Sequence, residues 1–96
     1  MFVVVRSYSG QGAQELFDLL GQRQEDVKDL IGGVPGFVSY TAFRTDEGGS
    51  TVTVCQEKTG TDESSRRAAE WVKENITATA NPPVVTEGGT VVHFTS

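Results

Sequence analysis

The chain switches between two hydrophobic periods, and the order of those switches restricts its fold more than any single residue does. Residues 2–8 are dense in β-branched and aromatic side chains, which predicts a strand. Across residues 12–31, Ala13, Leu16, Phe17, Leu20, Val27, Leu30 and Ile31 recur at helical spacing and predict one amphipathic helix. Gly32-Gly33 end it, and Pro35 prevents its continuation. Residues 37–44 and 50–57 alternate with period two on either side of Asp46-Glu47-Gly48-Gly49, a hairpin signal. A second helix starts within residues 59–63. Thr61 or Asp62 is its expected N-cap, and Ser65, Ala68, Ala69, Val72 and Ile76 are its expected inner stripe. Residues 77–89, with Pro82-Pro83 among them, read as a long connection, and residues 90–95 as the last strand.

The resulting order, βαββαβ, is the ferredoxin-like pattern: a four-stranded antiparallel sheet with two helices on one face. Its 96 residues make a single α+β domain, residues 1–96. The pattern leaves the other sheet face bare. Yet the strands carry apolar groups on both parities, most clearly at Phe2-Val3-Val4-Val5 and Val91-Val92. A monomer rarely leaves such a face in water, so the expected partner is a second copy, packed sheet against sheet as a homodimer. The net charge of −5 counts against nucleic acid and anionic membrane surfaces as partners. One cysteine cannot form an internal disulfide, and no stretch reaches the roughly 20 apolar residues of a spanning helix. The first apolar run is also too short for the core of a signal peptide, and the expected location is the cytoplasm.

Several segments together resemble the dimeric α+β barrel superfamily, which includes antibiotic-biosynthesis-monooxygenase-like and stress-responsive barrel domains. They are Val3-Val4-Val5-Arg6, Val34-Pro35-Gly36-Phe37-Val38, the Gly48-Gly49 hairpin and Ala68-Ala69-Glu70-Trp71. The resemblance covers nearly the whole chain as a pattern and carries no chemistry in its motifs. It implies a dimeric barrel that binds a small organic ligand. The alternative it implies is a cofactor-independent monooxygenase or isomerase acting on an aromatic or lactone-like metabolite. Other users of the topology fit less well. The third strand lacks the aromatics and basic residues of an RNA-recognition motif, and Ser9-Gly10-Gln11-Gly12 lacks the paired cysteines of a metal chaperone.

Few residues are candidates for chemistry. His93, the single histidine, could shuttle protons or could be an interface residue. Cys55 could be a nucleophile or a small buried hydrophobe. Trp71 and Asn75 are four apart on the second helix and so are neighbours. Some monooxygenases of this fold use such a pair to position substrate and oxygen, which makes Trp71, Asn75 and His93 the catalytic candidates. By the period-two rule Arg6 shares a face with Tyr8, and Tyr40 with Arg44. Tyr8, Tyr40, Arg44 and Trp71 are the candidate ligand-binding residues, through charge-assisted hydrogen bonds to an acidic or phenolic group. Haem-degrading members carry a histidine ligand on the second helix, and this second helix has none. No metal and no cofactor are expected.

Overall fold

A run of three valines, Val3-Val4-Val5, suits a strand covered by neighbours on both sides, and it lies at the centre of the sheet. The computed structural model describes residues 1–76 and 81–96. Its elements are β1 (Phe2–Ser9), α1 (Ala13–Gln22), α2 (Gln24–Gly32), β2 (Phe37–Thr45), β3 (Gly48–Cys55), α3 (Lys58–Asn75) and β4 (Val84–Gly89). The strands form one sheet in the order β2-β3-β1-β4. Every neighbouring pair is antiparallel, as the ferredoxin-like pattern requires.

The pairing register assigns each strand's side chains to a face. Val4, Arg6 and Tyr8 on β1 lie opposite Thr53, Thr51 and Gly49 on β3, and these residues point toward the helices. Tyr40, Ala42 and Arg44 on β2 pair with Thr53, Thr51 and Gly49 and share that side. A β-bulge falls between Phe37 and Ser39. It shifts the alternation, so Phe37 and Tyr40, three apart, both face the helices. Val3 and Val5 take the opposite side, with Val52, Val54 and Val84. Among the described residues no helix covers that side.

Tyr8, Ala13, Leu16, Phe17 and Ile76 form the core between sheet and helices, with Leu19, Leu20, Trp71 and Val72 packed against it. Two glycines set how closely the layers approach. A side chain on Gly49 would come within 2.5 Å of the Phe17 ring, so this glycine is where α1 rests on β3. One on Gly60 would meet the Pro35 carbonyl oxygen at 2.6 Å and the Cys55 Cβ at 2.8 Å. The start of α3 therefore packs directly against the β2 approach and the end of β3.

Several expectations need correction. The first helix is two helices, α1 and α2, broken at Arg23, whose backbone angles of −119° and 43° are not helical. Residues 21 to 26 are all exposed. With Gly21 at one end and no buried anchor within it, this stretch gives the helix no reason to stay straight. The hairpin loop is only Asp46-Glu47, because pairing extends to Thr45 and Gly48. β3 accordingly begins two residues before the expected start and ends at Cys55. α3 begins at Lys58 with Glu57 at its cap position and no side-chain cap. Thr61 lies inside the first turn instead, where its hydroxyl donates to the Lys58 carbonyl at 3.0 Å. The inner stripe of α3 includes buried Gly60, Thr61 and Ser64, whereas Ala69 is exposed. The last strand, β4, falls at residues 84–89, inside the expected connection, and residues 90–95 lie beyond it. β4 is an edge strand held to β1 by backbone pairing, and all six of its residues are exposed, so it shows no buried-strand periodicity. Val91, Val92 and Phe94 satisfy the composition of a strand but are 95%, 72% and 85% exposed. Residues 77–80 of the expected connection lie outside the described residues. Among the described residues no helix is long and apolar enough to cross a membrane.

The two kinds of glycine predict opposite responses to alanine. Gly60→Ala should lower the urea midpoint, with a loss of about 1–3 kcal/mol from overpacking. Gly21→Ala, with nothing within 4 Å of the added carbon, should raise stability by up to about 1 kcal/mol through helix propensity. A Gly60→Ala protein at least as stable as the parent would refute the close approach of α3 to the end of β3.

Candidate functional site

Strand alternation sends Arg6 inward between Val4 and Tyr8, and the fold buries it to 2% exposure. Burying a charged side chain costs several kcal/mol unless its donors are satisfied. The sequence meets this by lining the facing surfaces with hydroxyls rather than carboxylates. One guanidinium Nη donates to the Oγ of Ser65 at 2.9 Å and of Ser64 at 3.3 Å, and the other to Thr53 Oγ1 at 2.8 Å. Ser64 donates its own proton to the Thr61 carbonyl at 2.7 Å, which leaves its oxygen free to accept from Arg6. The polar inner face of α3 is thus the complement of Arg6. Among the described residues, buried Arg6 Nε has no hydrogen-bond partner, and Thr51 Oγ1 has none but the neighbouring Tyr40 phenol, whose pKa it lowers slightly against burial.

Arg6 lines a small, partly open cavity of about 20 Å³. Tyr8, Tyr40, Thr51 and Trp71 supply its other polar or aromatic walls, and Leu16, Leu20, Val27, Leu30, Ile31 and Val72 its aliphatic ones. Next to it, between the α1–α2 pair and β2, lies an open cleft of about 850 Å³. Leu20, Val27, Ile31 and Tyr40 border both spaces. Phe17, Phe37 and Phe43 extend the apolar lining of the cleft, and Glu25, Lys28 and Arg44 stand at its polar edge.

Burial shapes the acidity of this site. It pushes the Tyr40 phenol up to about 12, with the Arg6 charge pulling weakly the other way. It raises the Tyr8 phenol for the same reason, again opposed by Arg6. The Cys55 thiol, fully buried, is also raised by burial. That is the opposite of the shift a nucleophilic cysteine needs.

Tyr8, Tyr40 and Trp71 meet around the small cavity. Arg44 opens onto the outer cleft, where it donates to Gln14 at 3.0 Å and pairs with Asp18. Asn75 neighbours Trp71 and donates to its carbonyl at 2.8 Å, but it faces a separate surface groove and accepts from Arg23 at 2.6 Å. His93 stands in the exposed segment after β4, so the cavity offers no histidine to a haem iron. Trp71 and Tyr40 thus line one cavity, Asn75 shares only the outer groove with Trp71, and His93 lies apart from both. Thr51, Ser64 and Thr53 were missed as site residues. The available signal was the parity of Arg6: a charged residue at an inward position of an apolar strand requires polar partners on whatever packs above it.

No known sequence family matches the chain, and no curated protein sequence matches it. Solved structures do. The chain is similar to the monooxygenase ActVA-Orf6 of Streptomyces coelicolor in complex with nanaomycin D, with 20% identity, 99% of this chain and 91% of that one covered, and a TM-score of 0.66. It is similar to the heme-degrader MhuD of Mycobacterium tuberculosis with two hemes bound in its active site, with 19% identity, coverage of 99% and 100%, and a TM-score of 0.65. A dimeric ferredoxin-like protein from an uncultured marine organism also matches, at 13% identity, coverage of 99% and 96%, and a TM-score of 0.60. The chain therefore has the ferredoxin-like fold of these structures, the fold that the sequence pattern implies.

The chain has two tyrosines, and both phenols are raised above 10.0. Alkaline titration followed at the phenolate absorbance should show no native-state ionisation at the ordinary value, with Tyr40 titrating at about 12. Above pH 10 the unfolded chain loses phenolic protons that the folded chain retains, so stability should fall as pH rises from 10 toward 12. Two phenols titrating near 10 in folded protein would contradict this burial.

Proposed function

We propose that this protein is a homodimeric α+β barrel that binds a small organic molecule in the cleft between α1–α2 and β2. The cleft carries the reading. At about 850 Å³, with Phe17, Leu20, Val27, Ile31, Phe37, Tyr40 and Phe43 in its lining, it matches the size and character of small-molecule sites. Tyr40 at its inner end supplies a polar group beside apolar walls. The bare face of the sheet supports the dimer. Val3, Val5 and Val52 are only half-buried there and Val84 is 69% exposed, a surface that a second sheet would cover. The dimeric relative of the same fold agrees with this. The reading places the protein in the cytoplasm, where a lone buried cysteine stays reduced.

A second reading is a cofactor-independent monooxygenase or isomerase acting on an aromatic or lactone-like metabolite. Trp71 beside Tyr40 at the cavity wall favours it, as does the monooxygenase of this fold with nanaomycin D bound. In that case the aromatic walls would hold the substrate and exclude water. His93 and Asn75 would contribute only if the partner protomer brought them to the cavity.

Native mass spectrometry tests the main reading. The expected species is twice the 10.3 kDa chain, with an additional non-covalent mass when ligand is retained. Val84→Asp, which places a charge on the bare face, should shift the population toward monomer by tenfold or more, or roughly 1.4 kcal/mol of association free energy. A parent protein that stays monomeric at micromolar concentration would overturn the dimer. Enzymatic action would show as dioxygen uptake or product formation that Trp71→Ala abolishes.

A further inference from the structure

The reading above leaves the chemical class of the ligand open, and Arg6 narrows it. Guanidinium groups keep their charge when buried, and Arg6 is buried to 2% exposure. Among the described residues no carboxylate forms an ion pair with it. Residues 77–80 are threonines and alanines, so they contribute none either. Its hydrogen-bond partners, Thr53, Ser64, Ser65 and the Tyr8 phenol, are all neutral. The protein thus holds a cation in its interior, satisfies part of its hydrogen bonding, and leaves its charge uncompensated.

Among the described residues Arg6 Nε is unsatisfied, and Thr51 Oγ1 has no partner but the Tyr40 phenol. Arg6 and Thr51 both line the small cavity. At about 20 Å³ this cavity admits a group of one or two heavy atoms, and no whole organic molecule. A water molecule could satisfy the hydrogen bonds but not the charge. An anionic oxygen would satisfy both, accepting from Nε of Arg6 and from the Thr51 hydroxyl. Leu20, Val27, Ile31 and Tyr40 line both this space and the larger cleft.

Resting on the proposed ligand site, we infer that Arg6 anchors an anionic oxygen group of the ligand, which is therefore an aromatic or alicyclic carboxylate or phenolate. The body of the molecule occupies the cleft, and its charged oxygen passes between Tyr40 and the α1–α2 side chains to reach Arg6 and Thr51. The net charge of −5 does not oppose this at close range. The site itself carries an unpaired positive charge, and exposed charges elsewhere are screened beyond roughly 8 Å at physiological ionic strength.

The test compares two probes of nearly equal shape, 2-naphthoate and the neutral 2-naphthalenemethanol, by isothermal titration calorimetry on the purified full chain. Naphthoate should bind at least about tenfold more tightly, as expected for one charge-assisted contact. Arg6→Met should remove the preference and bring the affinity ratio to about one. Arg6→Lys keeps the charge without the planar donor set and should retain part of the preference. It also serves if Arg6→Met fails to fold by circular dichroism. Equal affinity of the parent protein for both probes would overturn the anion anchor and leave the ligand site standing. A naphthoate preference that survives Arg6→Met would also overturn it. Binding of neither probe would overturn the ligand site and the anchor together.

Discussion

A positive charge sealed between sheet and helices governs how this small domain is built. Arg6 occupies the inward position that an aliphatic residue would take in an ordinary β1, and the rest of the layer answers to it. Thr51 and Thr53 replace the branched hydrocarbons expected on the buried side of a central strand. The first half of α3 turns Thr61 and Ser64 inward where a helix of this length would normally present leucines. The hydrophobic core proper, around Tyr8, Ala13, Leu16, Phe17 and Ile76, is therefore displaced toward α1 and the end of α3. A buried ion is weak evidence for stability, because desolvation offsets most of what its hydrogen bonds contribute. A charge retained at that cost suits a role in recognition.

The core and the site differ in how well they are closed. Around Gly49 and Gly60 the layers touch at van der Waals distance, with no space for a single added carbon. Along β2 the α1–α2 pair stands away from the sheet and leaves the cleft. The break at Arg23 contributes to this difference. α1 follows β3, α2 follows β2, and a straight helix of twenty residues could not track both on a twisted sheet.

Much of this organisation was legible in the residues. The element order and the Gly33-Val34-Pro35-Gly36-Phe37 segment yielded the topology, because hydrophobic period and glycine–proline punctuation are local properties. The pairings of Arg6 with Tyr8 and of Tyr40 with Arg44 were also readable, since strand alternation is strict away from bulges. What escaped was non-local. β4 is an edge strand bonded through its backbone, and its composition of Val84, Val85, Thr86, Glu87, Gly88 and Gly89 carries no inward face. The apolar run after it has the composition of a strand, but among the described residues its side chains are exposed. The Arg23 break depends on what is missing between Leu20 and Val27, and helical spacing alone does not reveal it. Asn75 matched a functional pattern by type and spacing, while Arg23, brought close only by the tertiary fold, claims its side-chain oxygen.

The bulge in β2 divides the labour along that strand. On a regular strand, Phe37 and Tyr40 would face opposite ways, and enlarging the aromatic wall of the cleft would require changes on β3, where almost every position is buried. With the extra residue, two aromatic rings stand on the same side of an edge strand that bonds only to β3. Substitutions on β2 can therefore alter the outer wall of the cleft without disturbing the paired centre of the sheet. Arg6 and its hydroxyl cradle have less freedom, since Arg6 is held by Thr53, Ser64 and Ser65 together. The site thus combines a constrained floor with a replaceable wall. A lineage of such chains would be expected to vary the β2 side of the cleft sooner than Arg6 and the hydroxyls around it.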